Sequence, residues 1–128
     1  SALTNFYVNG SLEVAKTTTG SQYEIDSQFT IATVGNNTTL LLDAGGNTSF
    51  MDGDLDQLAI WNTVLDANAV TAIYNSGSMI DLTQNDGNYT SSGSLLGLYE
   101  FEDDLTDSSG RGNNITTSVG TSFVARQP

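Results

Sequence analysis

The sequence predicts an all-β protein, an antiparallel β-sandwich of jelly-roll type with one short α-helix near residues 66–76. Three observations carry that expectation. Short segments rich in Val, Ile, Thr, Phe and Tyr recur along the chain, punctuated by Asn, Gly, Ser and Asp. A single stretch, after Leu65, carries apolar residues at helical spacing. The 128 residues are 38% hydrophobic, enough for one domain, 1–128, with a core between two sheets.

The first element expected is a hairpin. Leu3–Val8 and Ser11–Ala15 flank Asn9-Gly10, whose residues accept the positive φ angles of a type I′ turn. A polar break at Thr17–Ser21 follows. Strands are expected near Phe29–Val34 and Thr38–Asp43, separated by a turn at Asn36-Asn37, with a loop at Ala44–Thr48. Leu55–Asn62 is the most strand-like stretch, apolar on both faces as a strand inside a sandwich would be. Asp66 then offers an N-cap, Val70, Ile73 and Tyr74 an apolar stripe, and Gly77 a helix stop. A helix of two to three turns does not stand alone in water, so it must dock on a sheet. The polar run Thr83–Ser94 reads as a flexible connector. Leu95–Glu102 reads as a strand, Asp107–Asn114 as a long turn, and Ile115–Val119 and Ser122–Ala125 as two closing strands.

Composition excludes several kinds of chemistry. The chain has no cysteine, hence no disulfide, thiolate metal site or thiol nucleophile. It has no histidine, which removes Ser-His-Asp catalysis and the commonest transition-metal ligand. Fifteen acidic residues against three basic ones give a net charge of −12, which opposes binding to nucleic acid or to an anionic membrane. The same charge favours solubility, or a surface adapted to calcium or salt. No apolar run approaches a membrane span and no secretory signal is visible. The chain starts at Ser1 rather than Met, which reads as a processed product or a part of something longer.

Three pieces together resemble the laminin-G-like domain of the concanavalin-A-like lectin/glucanase superfamily. Phe6-Tyr-Val-Asn-Gly10 is similar to the family's "YVNG" hairpin. Asp52-Gly53-x-Leu55-Asp56-x-Leu58-x-Ile60-Trp61-Asn62, with Leu65 and Ala72-x-Tyr74-Asn75-x-Gly77, resembles its late strand-and-helix element. Leu98-Tyr99-Glu100-Phe101 with Asp107-Ser-Ser-Gly-x-Gly-Asn-Asn114 resembles its "YYxF…DSSGNGNNG" element. In the family that last element usually opens the domain, whereas here it comes at the end. Either a second domain begins at Leu95, or these strands close the sandwich from the C-terminal side. The second arrangement resembles C-terminal modules of marine bacteriophage structural proteins and is favoured, because the chain stops soon after a hairpin. The family's early strands, expected before the YVNG hairpin, are missing. The resemblance thus implies a smaller sandwich, or one completed by another chain.

What the resemblance implies about function is a non-catalytic virion structural module, a tail appendage or capsid decoration for adhesion, display or assembly. Its partners would be other virion proteins, copies of itself and a surface glycan, at the virion surface, with neither nucleic acid nor membrane insertion. The alternative is a carbohydrate-binding module of a secreted, extracellular bacterial protein. A third reading comes from laminarinase-type glycosidases of the same superfamily, which carry three catalytic carboxylates at alternating spacing. Glu100, Glu102 and Asp104 would share one face if their segment were a strand, and retaining hydrolysis needs two carboxyl groups about 5–5.5 Å apart. The plainer reading buries Tyr99 and Phe101 and turns the acids to water.

Two further sets of residues are candidates for binding. Asp52, Asp56, Asp107 and Asn113 are oxygen donors suited to Ca2+, which takes six to eight such ligands, although no EF-hand loop fixes a coordination shell. The plain alternative has Asp56 bonding loop amides. For a glycan, Trp61 is a stacking platform or, more in keeping with its apolar neighbours, a core residue beneath the helix. Tyr89, in the polar connector, is the leading exposed aromatic, ahead of Tyr7 and Tyr23. The Asn-x-Ser/Thr sequons at Asn9, Asn37, Asn47, Asn88 and Asn114 follow from a composition rich in those residues.

Overall fold

The structure, a computed structural model, describes residues 2–18, 54–116, 118 and 122–124. Contacts group Ser1–Thr19 with Leu55–Pro128 in one unit and Gly20–Asp54 in another, of which Asp54 alone lies among the described residues. The strands expected at 29–34 and 38–43, the turn and loop beside them, Tyr23 and Asp52 all lie outside the described residues. The regular elements among the described residues are mostly strands, in two antiparallel two-stranded sheets, with one short α-helix.

The first sheet is the expected hairpin of β1 (Ala2–Val8) and β2 (Ser11–Thr18). Asn9 and Gly10 turn it with φ of 50° and 74°, the positive pair of a type I′ turn. Phe6 faces Val14 but Tyr7 faces Leu12, so Glu13 is the extra residue of a β-bulge. Strand β2 runs on to Thr18, past the polar break expected from Thr17. Leu3, Phe6, Val8, Leu12 and Val14 are each at least half exposed.

The second sheet pairs β3 (Leu58–Trp61) with β4 (Leu95–Tyr99), in the register Leu58↔Tyr99, Ala59↔Leu98 and Ile60↔Gly97, then a bulge to Trp61↔Leu95. Both strands are shorter than expected, for a backbone reason. Gln57 stands at φ 51°, which breaks extended geometry just before β3. Phe101 at 55° and Asp103 at 62° do the same after β4, so the strand expected to reach Glu102 ends at Tyr99. The described residues of 115–119 and 122–125 are not in strands.

Between the two strands comes α1 (Ala67–Tyr74). Asp66 caps it as expected, its carboxylate accepting from the Ala69 N–H at 2.8 Å. The stop comes two residues earlier than Gly77. Asn75, left-handed at φ 41°, is the C-cap, and a 3₁₀ turn, Asn75–Gly77, follows. The inward face is Ala69, Ala72 and Ile73, with Ala69 buried and the other two packed against the core. Tyr74 turns away from that stripe and lies over the hairpin tip, where a Cβ on Gly10 would sit 2.9 Å from its ring.

Leu82, Tyr89, Leu95 and Leu98 form the buried cluster, with Ala59 and Trp61 of β3, Leu65 and Ile80 around it. Tyr89 belongs to the segment 83–94 expected to be a flexible connector. Within that segment Asp86 and Tyr89 exchange backbone N–H···O bonds at 2.9 Å both ways. No helix among the described residues is long and apolar enough to cross a membrane.

Candidate functional site

The densest polar construction is the turn Asp107–Asn114 laid against β4. Strand β4 pairs with β3 along one edge, so the amides and carbonyls on its other edge need partners. The turn supplies them. The Leu98 N–H donates to Asp107 Oδ1 at 2.9 Å, and the Leu98 carbonyl accepts from the Ser108 N–H at 2.7 Å. The Leu96 carbonyl accepts from Asn113 Nδ2 at 2.8 Å and lies 3.3 Å from Ser109 Oγ. Arg111 reaches furthest, donating from Nε to the Leu95 carbonyl at 3.2 Å and from Nη2 to the Gly93 carbonyl at 2.9 Å. Gly110 and Gly112, at φ 81° and 79°, allow the reversal that brings Arg111 and Asn113 back to the strand.

Asp107 is the centre of this arrangement. Besides the Leu98 amide, its Oδ1 accepts from the Ser109 N–H at 2.9 Å, and its Oδ2 from the Asn113 N–H at 2.9 Å. Burial pushes its pKa up. The Ser109 hydroxyl and the three amides outweigh that, and hold the carboxyl at about 2. The Asp107 N–H in turn donates to Asn114 Oδ1 at 2.8 Å. Tyr99 Oη donates to the Asn113 carbonyl at 2.6 Å, and burial, with the Asp107 charge second, raises its pKa.

Two of the four expected calcium ligands, Asp107 and Asn113, are engaged within the turn. Asp107 takes backbone amides on both oxygens, and Asn113 gives its side-chain amide to β4. Asp56 is exposed on the approach to β3, and Asp52 lies outside the described residues. No group of three His, Cys, Asp or Glu side chains placed to hold a metal ion occurs among the described residues.

The carboxylate series Glu100, Glu102 and Asp104 loses its premise, because β4 ends before it and the backbone reverses at Phe101 and Asp103. Glu100 Oε2 accepts from Ser108 Oγ at 2.7 Å. Asp104 folds its own loop, accepting from the Thr106 N–H and hydroxyl at 2.9 and 2.6 Å. The Thr106 hydroxyl, then the amide, lower its pKa.

The two proposed stacking aromatics meet each other inside the protein. Trp61 Nε1 donates to Tyr89 Oη at 2.9 Å, and Tyr89 Oη donates to the Leu82 carbonyl at 2.8 Å, with the rings edge to face at 6.2 Å. Tyr89 has no exposed surface, which corrects its reading as an exposed platform. Its polar neighbours suggested exposure, but one large ring in a polar run is what gives that run a core contact. Trp61 is half-buried against the core cluster.

A shallow groove of about 220 Å³ runs beside Asp56, Gln57, Ile73, Tyr74 and Met79. It falls below the roughly 300–1,000 Å³ typical of small-molecule sites. No buried side-chain nitrogen or oxygen among the described residues lacks a hydrogen-bond partner, so none stands waiting for a ligand. No family model, curated protein or solved structure matches the chain.

Proposed function

We propose that the chain is a non-catalytic virion structural module, laminin-G-like and jelly-roll in plan, on a tail appendage or the capsid surface. There it serves adhesion, display or assembly. The observation that supports this reading best is how the loops are made. Their polar side chains engage one another and the backbone instead of converging on a cleft. Asp81 holds Thr83 and Gln84, Asn85 holds Ser92, Asp104 holds Thr106, and Asp107 holds the turn to β4. Loops closed by their own side chains keep a fixed outline, which display on a particle requires. The jelly-roll plan and the virion setting rest on the resemblance of Phe6–Gly10, Asp52–Gly77 and Leu98–Asn114 and carry that warrant alone. On a particle, symmetry-related copies would turn weak glycan contacts into useful avidity.

Binding of the purified chain to separated virion proteins, beside a glycan array and β-glucan hydrolysis, tests the reading. Saturable binding to a virion protein, with no hydrolysis, is the expected result. Glycan capture by the isolated chain without any virion partner would replace it with the secreted carbohydrate-binding module. Hydrolysis abolished by Glu100→Gln would replace both with a glycosidase.

A further inference from the structure

We infer that the turn Asp107–Asn114 is a guard for the outer edge of β4, and that it keeps this strand from pairing with the same strand of a second copy of the chain. The inference does not depend on the proposed function.

An edge strand of sequence Leu-Leu-Gly-Leu-Tyr is a ready template for strand addition, since it is apolar and its outer edge offers a row of main-chain donors and acceptors. A neighbouring strand of the same chain would silence such an edge with a ladder. Here the silencing groups are mainly side chains. Asp107 takes the Leu98 amide, Asn113 covers the Leu96 carbonyl, and Arg111 covers the carbonyls of Leu95 and Gly93. Among the described residues, the one main-chain bond from the turn to this edge is from Ser108 to Leu98. A cover of this kind satisfies the edge without presenting a free edge of its own, because side-chain donors end the pairing where a strand would continue it. Its anchoring is internal as well. Asp107 binds the amides of Ser109 and Asn113, so the turn keeps its shape while it lies on the strand.

In a purified sample an uncovered β4 meets only other copies of the chain, and a two-fold contact between copies sets β4 against β4. The variant Arg111→Ala/Asn113→Ala removes the side-chain donors to Gly93 and Leu95 and the shorter of the two to Leu96, leaving Ser109 Oγ at 3.3 Å. It leaves the Asp107 anchor intact, since Asn113 contributes to that anchor only through its backbone. Sedimentation equilibrium on the full chain, with native Trp61 fluorescence as the check on folding, reads the result. The variant should associate at concentrations about tenfold or more below those the unaltered chain needs, a shift of about 1.4 kcal/mol. Amide exchange maps the contact. The Leu98 N–H lies on the outer edge, and its exchange should slow further when the variant associates. A folded variant that stays monomeric wherever the unaltered chain does would overturn the inference. So would association that leaves Leu98 exchange unchanged. If the double variant does not fold, Asn113→Ala alone carries the same two readouts, with a smaller shift in the same direction.

Discussion

Asp107 and Tyr89 show how much single residues decide here, and both act through partners that a linear reading does not display. Asp107 was legible as a carboxylate in a turn, but its amide partners come from Leu98, Ser109 and Asn113. Only the folded chain brings the Leu98 amide to it. Its pKa falls from 3.8 to about 2 on folding. A lowered pKa stabilises the fold fully above the unfolded value and progressively less as pH falls through the folded one. Stability should therefore drop between about pH 4 and pH 2, by about 1 kcal/mol once the partial exposure of the carboxylate is discounted. Urea denaturation across that window would show it, and Asp107→Asn should be less stable at pH 7 and flatter below pH 4. Tyr89→Phe deletes one hydroxyl and strands both the Leu82 carbonyl and the Trp61 N–H. It should cost about 1–3 kcal/mol, measured by urea denaturation, and shift the emission of Trp61, the chain's one tryptophan.

Elements were legible where a local signal sets them. Asn9-Gly10 fixed the hairpin turn, and Asp66 fixed the start of the helix, because each acts on residues within one turn of itself. Ends set by backbone reversal were not legible. Gln57 and Phe101 have side chains that do not announce a positive φ, so both strands of the second sheet were read too long. The helical stripe was half right. Ile73 faces the core, but Tyr74 packs on Gly10 and the small Ala69 and Ala72 complete the inward face. Two substitutions test these elements. Asp66→Ala removes the cap and should cost about 1 kcal/mol, with a loss of helical circular dichroism near the midpoint. Gly10→Ala adds a methyl where φ is 74° and the Tyr74 ring leaves no room. It should destabilise by roughly 1 kcal/mol or more, and Tyr74→Ala should relieve the steric part in a double-mutant cycle.

At the scale of the whole molecule, strands in antiparallel pairs with one docked helix could be read from the sequence. Local patterning carries that much. The C-terminal alternation at 115–119 and 122–125 imitated strands, yet its described residues join no sheet. Ile115 instead donates its N–H to the Leu105 carbonyl at 3.1 Å. Charge acts at this scale too. A net charge of −12 repels itself, so the melting temperature should rise as sodium chloride goes from about 10 to 150 mM, where the Debye length shortens to about 8 Å. Calcium provides a separate check. With Asp107 and Asn113 engaged in the turn, EDTA at matched ionic strength should leave the melting temperature unchanged. A fall restored by calcium and not by magnesium would assign the acidic residues a metal after all.

The Trp61–Tyr89 bond joins residues 28 apart in sequence, and the pairing of β3 with β4 encloses that span. The hairpin closes across two residues. Those distances set an order of events during folding. A two-residue turn forms its ladder within about 1–10 μs, while the second sheet must first pay the closure entropy of a long loop. Chains starting to fold should therefore protect the amides of β1 and β2 before those of β4. The slow step is then the return of Leu95–Tyr99 to β3, with Tyr89 arriving on Trp61 as its optical signal.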